Sequence, residues 1–104
     1  MSQLIVKSAA SKDLLDHFLF LAEQSETTAF RFFESAEKTF QELLEMPLMG
    51  RECVFKNADL SGVRRWRVRG FEKYLIFYQV NKTDIEIIRV IYGSRDIQSI
   101  FEEE

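Results

Sequence analysis

The stretch VRRWRVRGFEKYLIFYQVNKTDIEIIRVIY, residues 63–92, decides the fold. Its first part, 63–69, alternates: Arg64, Trp66 and Val68 fall on one side, Arg65, Arg67 and Arg69 on the other. That is the two-residue period of a β-strand. Residues 70–73 read as a turn. The next run, YLIFYQV (74–80), is apolar on both faces and so belongs in the middle of a sheet. NKTD (81–84) turns the chain into IEIIRVIY (85–92), a strongly β-branched strand. Three consecutive strands joined by short turns predict an antiparallel meander.

Outward from the meander, the sequence supplies what covers it. QLIVKS (3–8) predicts a short first strand, and the residues at 8–11 can start a helix. Leu14, Leu15, Phe18, Leu21 and Ala22 share one face at helical spacing, predicting a helix over 12–23. A second helix follows 25–28, with Ala29, Phe33, Ala36, Phe40, Leu43 and Leu44 in one stripe and Phe30 and Phe32 on its flanks. Pro47 stops it, and 48–62 reads as loop. Gly93 and Ser94 break the last strand, and Ile97, Ile100 and Phe101 give residues 95–104 helical spacing. The predicted order is β-α-α-β-β-β with a C-terminal helical tail. It is an α+β fold, an antiparallel sheet packed against a helix hairpin, and residues 1–104 form one domain. Phe20 lies nearly opposite the Leu14–Phe18–Leu21 stripe, so the sheet cannot bury it and it is expected to touch a partner.

Composition removes many functions. Ten Phe, three Tyr and one Trp in 104 residues provide an aromatic core that needs no staples. A single Cys excludes an internal disulfide, and with one His it excludes a conventional zinc site, so neither metal nor cofactor is expected. No apolar run reaches the roughly 20 residues of a membrane span, and the start lacks a signal-peptide pattern. The expectation is a cytoplasmic protein with no membrane partner. Net charge is −3, but it is unevenly placed: residues 51–73 carry +4, between −4 over 1–50 and −3 over 74–104. Five of the seven cations of that block lie within 64–73, a local field that can steer an anionic partner.

His17 has no nucleophile or carboxylate placed beside it by the sequence, and Cys53 reads as a plain thiol. No phosphate-loop glycine pattern is present. What remains is arginine: Arg65, Arg67 and Arg69 on one strand face, Arg89 on the last strand, and Arg95 after the break at Gly93. Guanidinium groups offer planar bidentate donors to phosphates and carboxylates but shuttle protons poorly. The set favours binding over catalysis, and no catalytic residue is assigned.

RRWRVRGFEKYLIFYQV followed by IEIIRVIYGSRDIQSIF closely resembles the C-terminal half of the RelE/ParE toxin superfamily. There a basic strand, a Tyr/Phe-rich strand and a strand ending in Gly-x-Arg-Asp/Glu recur in this order. PLMG at 47–50 matches the Pro-x-x-Gly that leads into the sheet. The resemblance implies a toxin of a type II toxin–antitoxin pair, held by a cognate antitoxin in an oligomeric complex. RelE-like members cleave mRNA on the ribosome, whereas ParE-like members are associated with inhibition of DNA gyrase. Carried onto this chain, the nuclease set falls on Arg65, Arg67 and Arg95, but its strand arginine is Leu75 and its tail tyrosine is Phe101. That departure points to the ParE-like branch, with gyrase as target. The alternative is a ribosome-dependent mRNA endonuclease in which Tyr78 or Tyr92 replaces the lost phenol. Arg65, Arg67 and Arg95, with Arg69 and Arg89 from the arginine pattern itself, are expected to make the target contact, and Phe20 and Phe101 the antitoxin contact.

Overall fold

A computed structural model describes residues 2–93 and 97–102. Two helices, α1 (Ser8–Ala22) and α2 (Glu26–Glu45), pack on one face of a five-stranded sheet. The strands are β1 (Leu4–Val6), β2 (Arg51–Glu52), β3 (Arg64–Val68), β4 (Phe71–Asn81) and β5 (Asp84–Tyr92), in the spatial order β1-β5-β4-β3-β2. A single turn of 3₁₀ helix (Ala58–Leu60) and α3 (Ile97–Glu102) complete the chain.

β3, β4 and β5 form the expected antiparallel meander with β4 central. Three features differ from the sequence reading. β1 runs parallel to β5, so the sheet is mixed. A strand of two residues, β2, lies within the stretch that reads as loop, where its apolar content is too low to show period-two patterning. The β3–β4 turn is tighter than residues 70–73, because Gly70 at φ +80° lets β4 begin at Phe71.

α1 begins at Ser8 rather than 12, because fully buried Ala10 sits one turn before Leu14 and belongs to the sheet-facing stripe. α2 is capped as its sequence dictates: Ser25 Oγ accepts the Thr28 N–H at 3.2 Å. Its buried stripe is Ala29, Phe32, Ala36, Phe40 and Leu43, together with Thr39. Phe32, expected on the flank, is therefore the core ring, while Phe33 is turned outward. Thr39 is satisfied both ways, donating to Ser35 C=O and accepting the Arg69 N–H.

Two cores sandwich the sheet. Between helices and sheet lie Leu14, Phe32, Phe40, Leu43, Ile76, Tyr78, Ile85, Ile87 and Val90. On the opposite face, Phe77, Ile91 and Val63 are covered by Phe101 of α3 and by Phe55 and Leu60 of the 53–60 loop.

On the edge of β5 away from β4, no strand among the described residues continues past the end of β1, and α1 seals that edge. Asp13 accepts the Val90 N–H at 2.9 Å, and His17 Nε2 donates to the Val90 carbonyl at 2.7 Å. The ladder slips between Phe77 and Tyr78, skipping Ile88, and this bulge brings Arg89 round to the Asp13 carboxylate. Edge strands are sites of unwanted pairing, and two side chains one helical turn apart remove this one.

Candidate target face and partner groove

Of the five arginines expected at the target contact, the four that are described do not share one face. Arg65 and Arg67 stand on the α3 side of the sheet: Arg65 is directly opposite Phe77 and Arg67 opposite Leu75, and both partners belong to the α3-side core. Arg69 is turned to the helices, where it forms a forked pair with Glu42 of α2. The cause is that β3 ends at Val68, which still follows the alternation with Trp66 into the helix-side core, so Arg69 lies in the turn, where the two-residue period no longer applies. Arg89 is mostly buried against α1, its Nε 2.7 Å and Nη2 3.0 Å from the two Asp13 carboxylate oxygens. It is therefore a fastener between helix and sheet rather than a surface cation. Arg95 lies outside the described residues.

Arg64 also works inside the fold, donating to the Gly50 carbonyl at 2.7 Å. That bond belongs to a corner centred on Tyr78, whose hydroxyl donates to Pro47 C=O and accepts the Gly50 N–H, both at 2.8 Å. Only glycine fits there, because a Cβ on residue 50 would stand 2.4 Å from the Tyr78 hydroxyl. Burial pushes the Tyr78 phenol above its ordinary pKa, although the Gly50 hydrogen bond opposes the shift. With both sides of its oxygen committed and its ring in the helix-side core, Tyr78 is placed as a structural clamp, not as a replacement base.

Phe101 is 1% exposed, packed between Phe77 and Phe55 with centroids 5.0 and 4.8 Å away. This corrects its assignment to an antitoxin surface: the ring docks α3 onto the sheet. Leu75, where a nuclease relative carries arginine, joins the same core. Cys53 borders it too. Burial raises its thiol pKa, which the nearby Arg65 partly offsets. Among the described residues no cluster of His, Cys, Asp or Glu could hold a metal ion.

The helix hairpin offers a second surface. The apolar stripes of α1 and α2 are wider than the sheet can cover, and the surplus lines a groove of about 580 Å³ with Leu4 and Val6 of β1 at its side. Leu14, Leu15 and Phe18 come from α1, and Phe30, Phe33 and Phe40 from α2. Leu15 is 56% and Phe30 64% exposed, a large apolar surface for so small a chain. The signal was present in the sequence as too many aromatics for one stripe. Phe20 is 57% exposed but does not line the groove; helical spacing puts it beyond Asp13 and His17, along the β5 edge.

Among the described residues no helix is long and apolar enough to cross a membrane. No curated protein matches the chain. A solved structure described as "Chromosomal ParDE TA system from P. aeruginosa" contains a chain similar to this one, with a TM-score of 0.69 at 16% identity over 88% of this chain and 96% of that one. The family model described as the ParE toxin of the type II toxin–antitoxin system parDE matches residues 4–97. With the whole meander and both helices inside that match, the chain belongs to the ParE toxin family and is the toxin half of a toxin–antitoxin pair.

Proposed function

We infer that this toxin arrests growth by binding DNA gyrase through the α3 side of its sheet, without cutting RNA. The reading is supported above all by the buried phenyl of Phe101. Cleavage at a ribose 2′-hydroxyl needs a group that takes a proton and one that gives it. Around Arg65 and Arg67 the described residues offer guanidiniums, apolar side chains and the Cys53 thiol, whose pKa burial raises, so that its proton is held rather than exchanged. A missing general acid or base costs about 10²–10⁴-fold in rate. Arg65 and Arg67 are assigned to the target contact, with Arg95 beside them in the sequence pattern.

The antitoxin is assigned to the groove between α1 and α2. Ser11, Leu14, Leu15 and Phe18 recur at the spacing that meets the apolar face of an added helix, with Glu37 and Gln41 on the rim. Residues 1–50 carry a charge of −4, so the incoming segment should be amphipathic with basic flanks. Phe20, on the other side of α1 along the β5 edge, is assigned to a separate stretch of the antitoxin.

Two assays test the reading. Purified toxin should inhibit gyrase supercoiling and leave messages intact on translating ribosomes. Codon-specific cleavage that disappears on Arg65→Ala would reverse the assignment. Leu15→Glu should free the toxin from the antitoxin encoded beside it, so that co-expression no longer restores growth. Unaltered rescue would empty the groove of its proposed occupant.

A further inference from the structure

Arg51, which the sequence places in a loop, is the Cα partner of Arg65 across the β2–β3 ladder. Directly paired residues share a face, with Cβ atoms about 5 Å apart. Arg67, two residues along β3, rises from the same face roughly 6.6 Å from Arg65. Its guanidinium lies over the Trp66 ring, 4.7 Å from the centroid. Like charges directly opposite each other destabilise a sheet. Yet none of these three arginines meets a carboxylate among the described residues, whereas Arg69 and Arg89 each hold one and Arg64 holds a carbonyl.

The kind of anion follows from the number of forks. A carboxylate has two oxygens, which a single bidentate guanidinium occupies. Two adjoining guanidiniums suit a tetrahedral oxyanion, which presents oxygens to both. A third, one strand period further on, suits a second such group in the same ligand. We propose that Arg51 and Arg65 clasp one phosphate group and that Arg67 meets the next. The ligand is either the diphosphate of a nucleotide or the backbone of a single-stranded nucleic acid. The proposal rests on reading this face as the target contact, and it adds Arg51 and the chemistry of what is bound.

The test titrates purified full-length toxin with pyrophosphate and with a short oligothymidylate, at several salt concentrations. Arg51→Gln should weaken binding about tenfold or more, the loss expected for a charge-assisted contact. Arg51→Lys, which keeps the charge but not the fork, should recover only part of it. Arg31→Gln, an exposed cation on α2, should bind like the parent. For the oligonucleotide, the slope of log affinity against log salt should fall by about 0.7 in Arg51→Gln. Binding of pyrophosphate alone assigns the site to free nucleotides, and binding of the oligonucleotide alone assigns it to a nucleic-acid backbone. No binding of either probe, equal affinity in Arg51→Gln and the parent, or an equal loss in Arg31→Gln overturns the proposal. Gyrase inhibition is scored on the same variants. Lost phosphate binding with full inhibition upholds the phosphate site and moves the gyrase contact elsewhere. Lost inhibition with unchanged phosphate binding refutes the site and leaves the gyrase contact in place.

Discussion

Replacing Asp13 by alanine should cost this protein more stability than any other single change to a charged residue in α1. Its carboxylate takes three hydrogen bonds from the sheet: Arg89 Nε at 2.7 Å, Arg89 Nη2 at 3.0 Å and the Val90 N–H at 2.9 Å. Both side chains are mostly buried, at 13% and 14% exposure. Truncation leaves a guanidinium and a backbone donor behind in a place water reaches poorly. Breaking a buried pair in this way costs about 3–5 kcal/mol. Against a total stability of about 5–15 kcal/mol this is a third or more, and the melting temperature should fall by roughly 15–30 °C. By contrast, breaking Lys12–Asp16, an exposed pair one helical turn apart, should leave the stability nearly unchanged.

Urea unfolding followed by Trp66 fluorescence measures the loss, with an unchanged slope showing that the denatured state is not altered. The decisive variant is double. Asp13→Leu with Arg89→Met replaces the pair by apolar groups of similar size, and such replacements are often neutral or stabilising. The double variant should regain most of the stability lost in Asp13→Ala and should still arrest growth. A cost below about 1 kcal/mol for Asp13→Ala would show that water screens the pair. A double variant that is stable yet harmless would return Arg89 to the target contact and refute its role as a fastener.

Tyr78→Phe should cost about 1–3 kcal/mol, because the Gly50 N–H and Pro47 C=O both lose their partner in a buried corner. Gly50→Ala should also destabilise, since its Cβ would stand 2.8 Å from the Arg65 carbonyl as well as against the Tyr78 hydroxyl; thermal melts check both. Phe101→Ala should cost about 3–5 kcal/mol by opening a cavity in the α3-side core, and Phe101→Tyr should not confer RNA cleavage, as primer extension on translated messages would report. Burial raises the Tyr78 and Tyr74 phenols and the Cys53 thiol. Their neutral forms are thus favoured by the fold. The associated stability is whole below the ordinary pKa values and lost as pH rises past them, so urea midpoints should decline above about pH 9–10. Cys53 should react with iodoacetamide more slowly than a free cysteine at pH 8, and faster as pH rises.

The meander was legible because its signals are local. Alternation in 63–69, two-sided apolarity in 74–80 and β-branching in 85–92 each name a strand without reference to any other part of the chain. The C-terminal apolar spacing likewise foretold a tail helix, though it did not say that Phe101 would be spent on docking that helix to the sheet. β2 was illegible for the opposite reason. Two charged residues carry no periodicity, and Arg51 and Glu52 are a strand only because β3 offers them a ladder.

The same distinction explains which site residues the sequence misplaced. Counting by twos puts Arg69 beside Arg67, and that count holds only while register holds. The end of β3 at Val68 leaves Arg69 in the turn, where it meets Glu42, and a register shift after Phe77 sends Arg89 to Asp13. Both partners are acidic residues of the helices, far away in sequence. Arginine identity therefore marked these positions as strongly interacting without saying with what. The surplus of phenylalanine behaved in the same way. Phe30, Phe32 and Phe33 cannot all face one sheet, and the sequence does not say which will lose; the structure buries Phe32 and leaves Phe30 and Phe33 lining a groove. A toxin that waits for an antitoxin has reason to keep that surplus. Its helices satisfy the sheet with one stripe of side chains and hold the other ready for a partner, so apolar residues beyond what the fold can bury are themselves a sequence-level sign of binding.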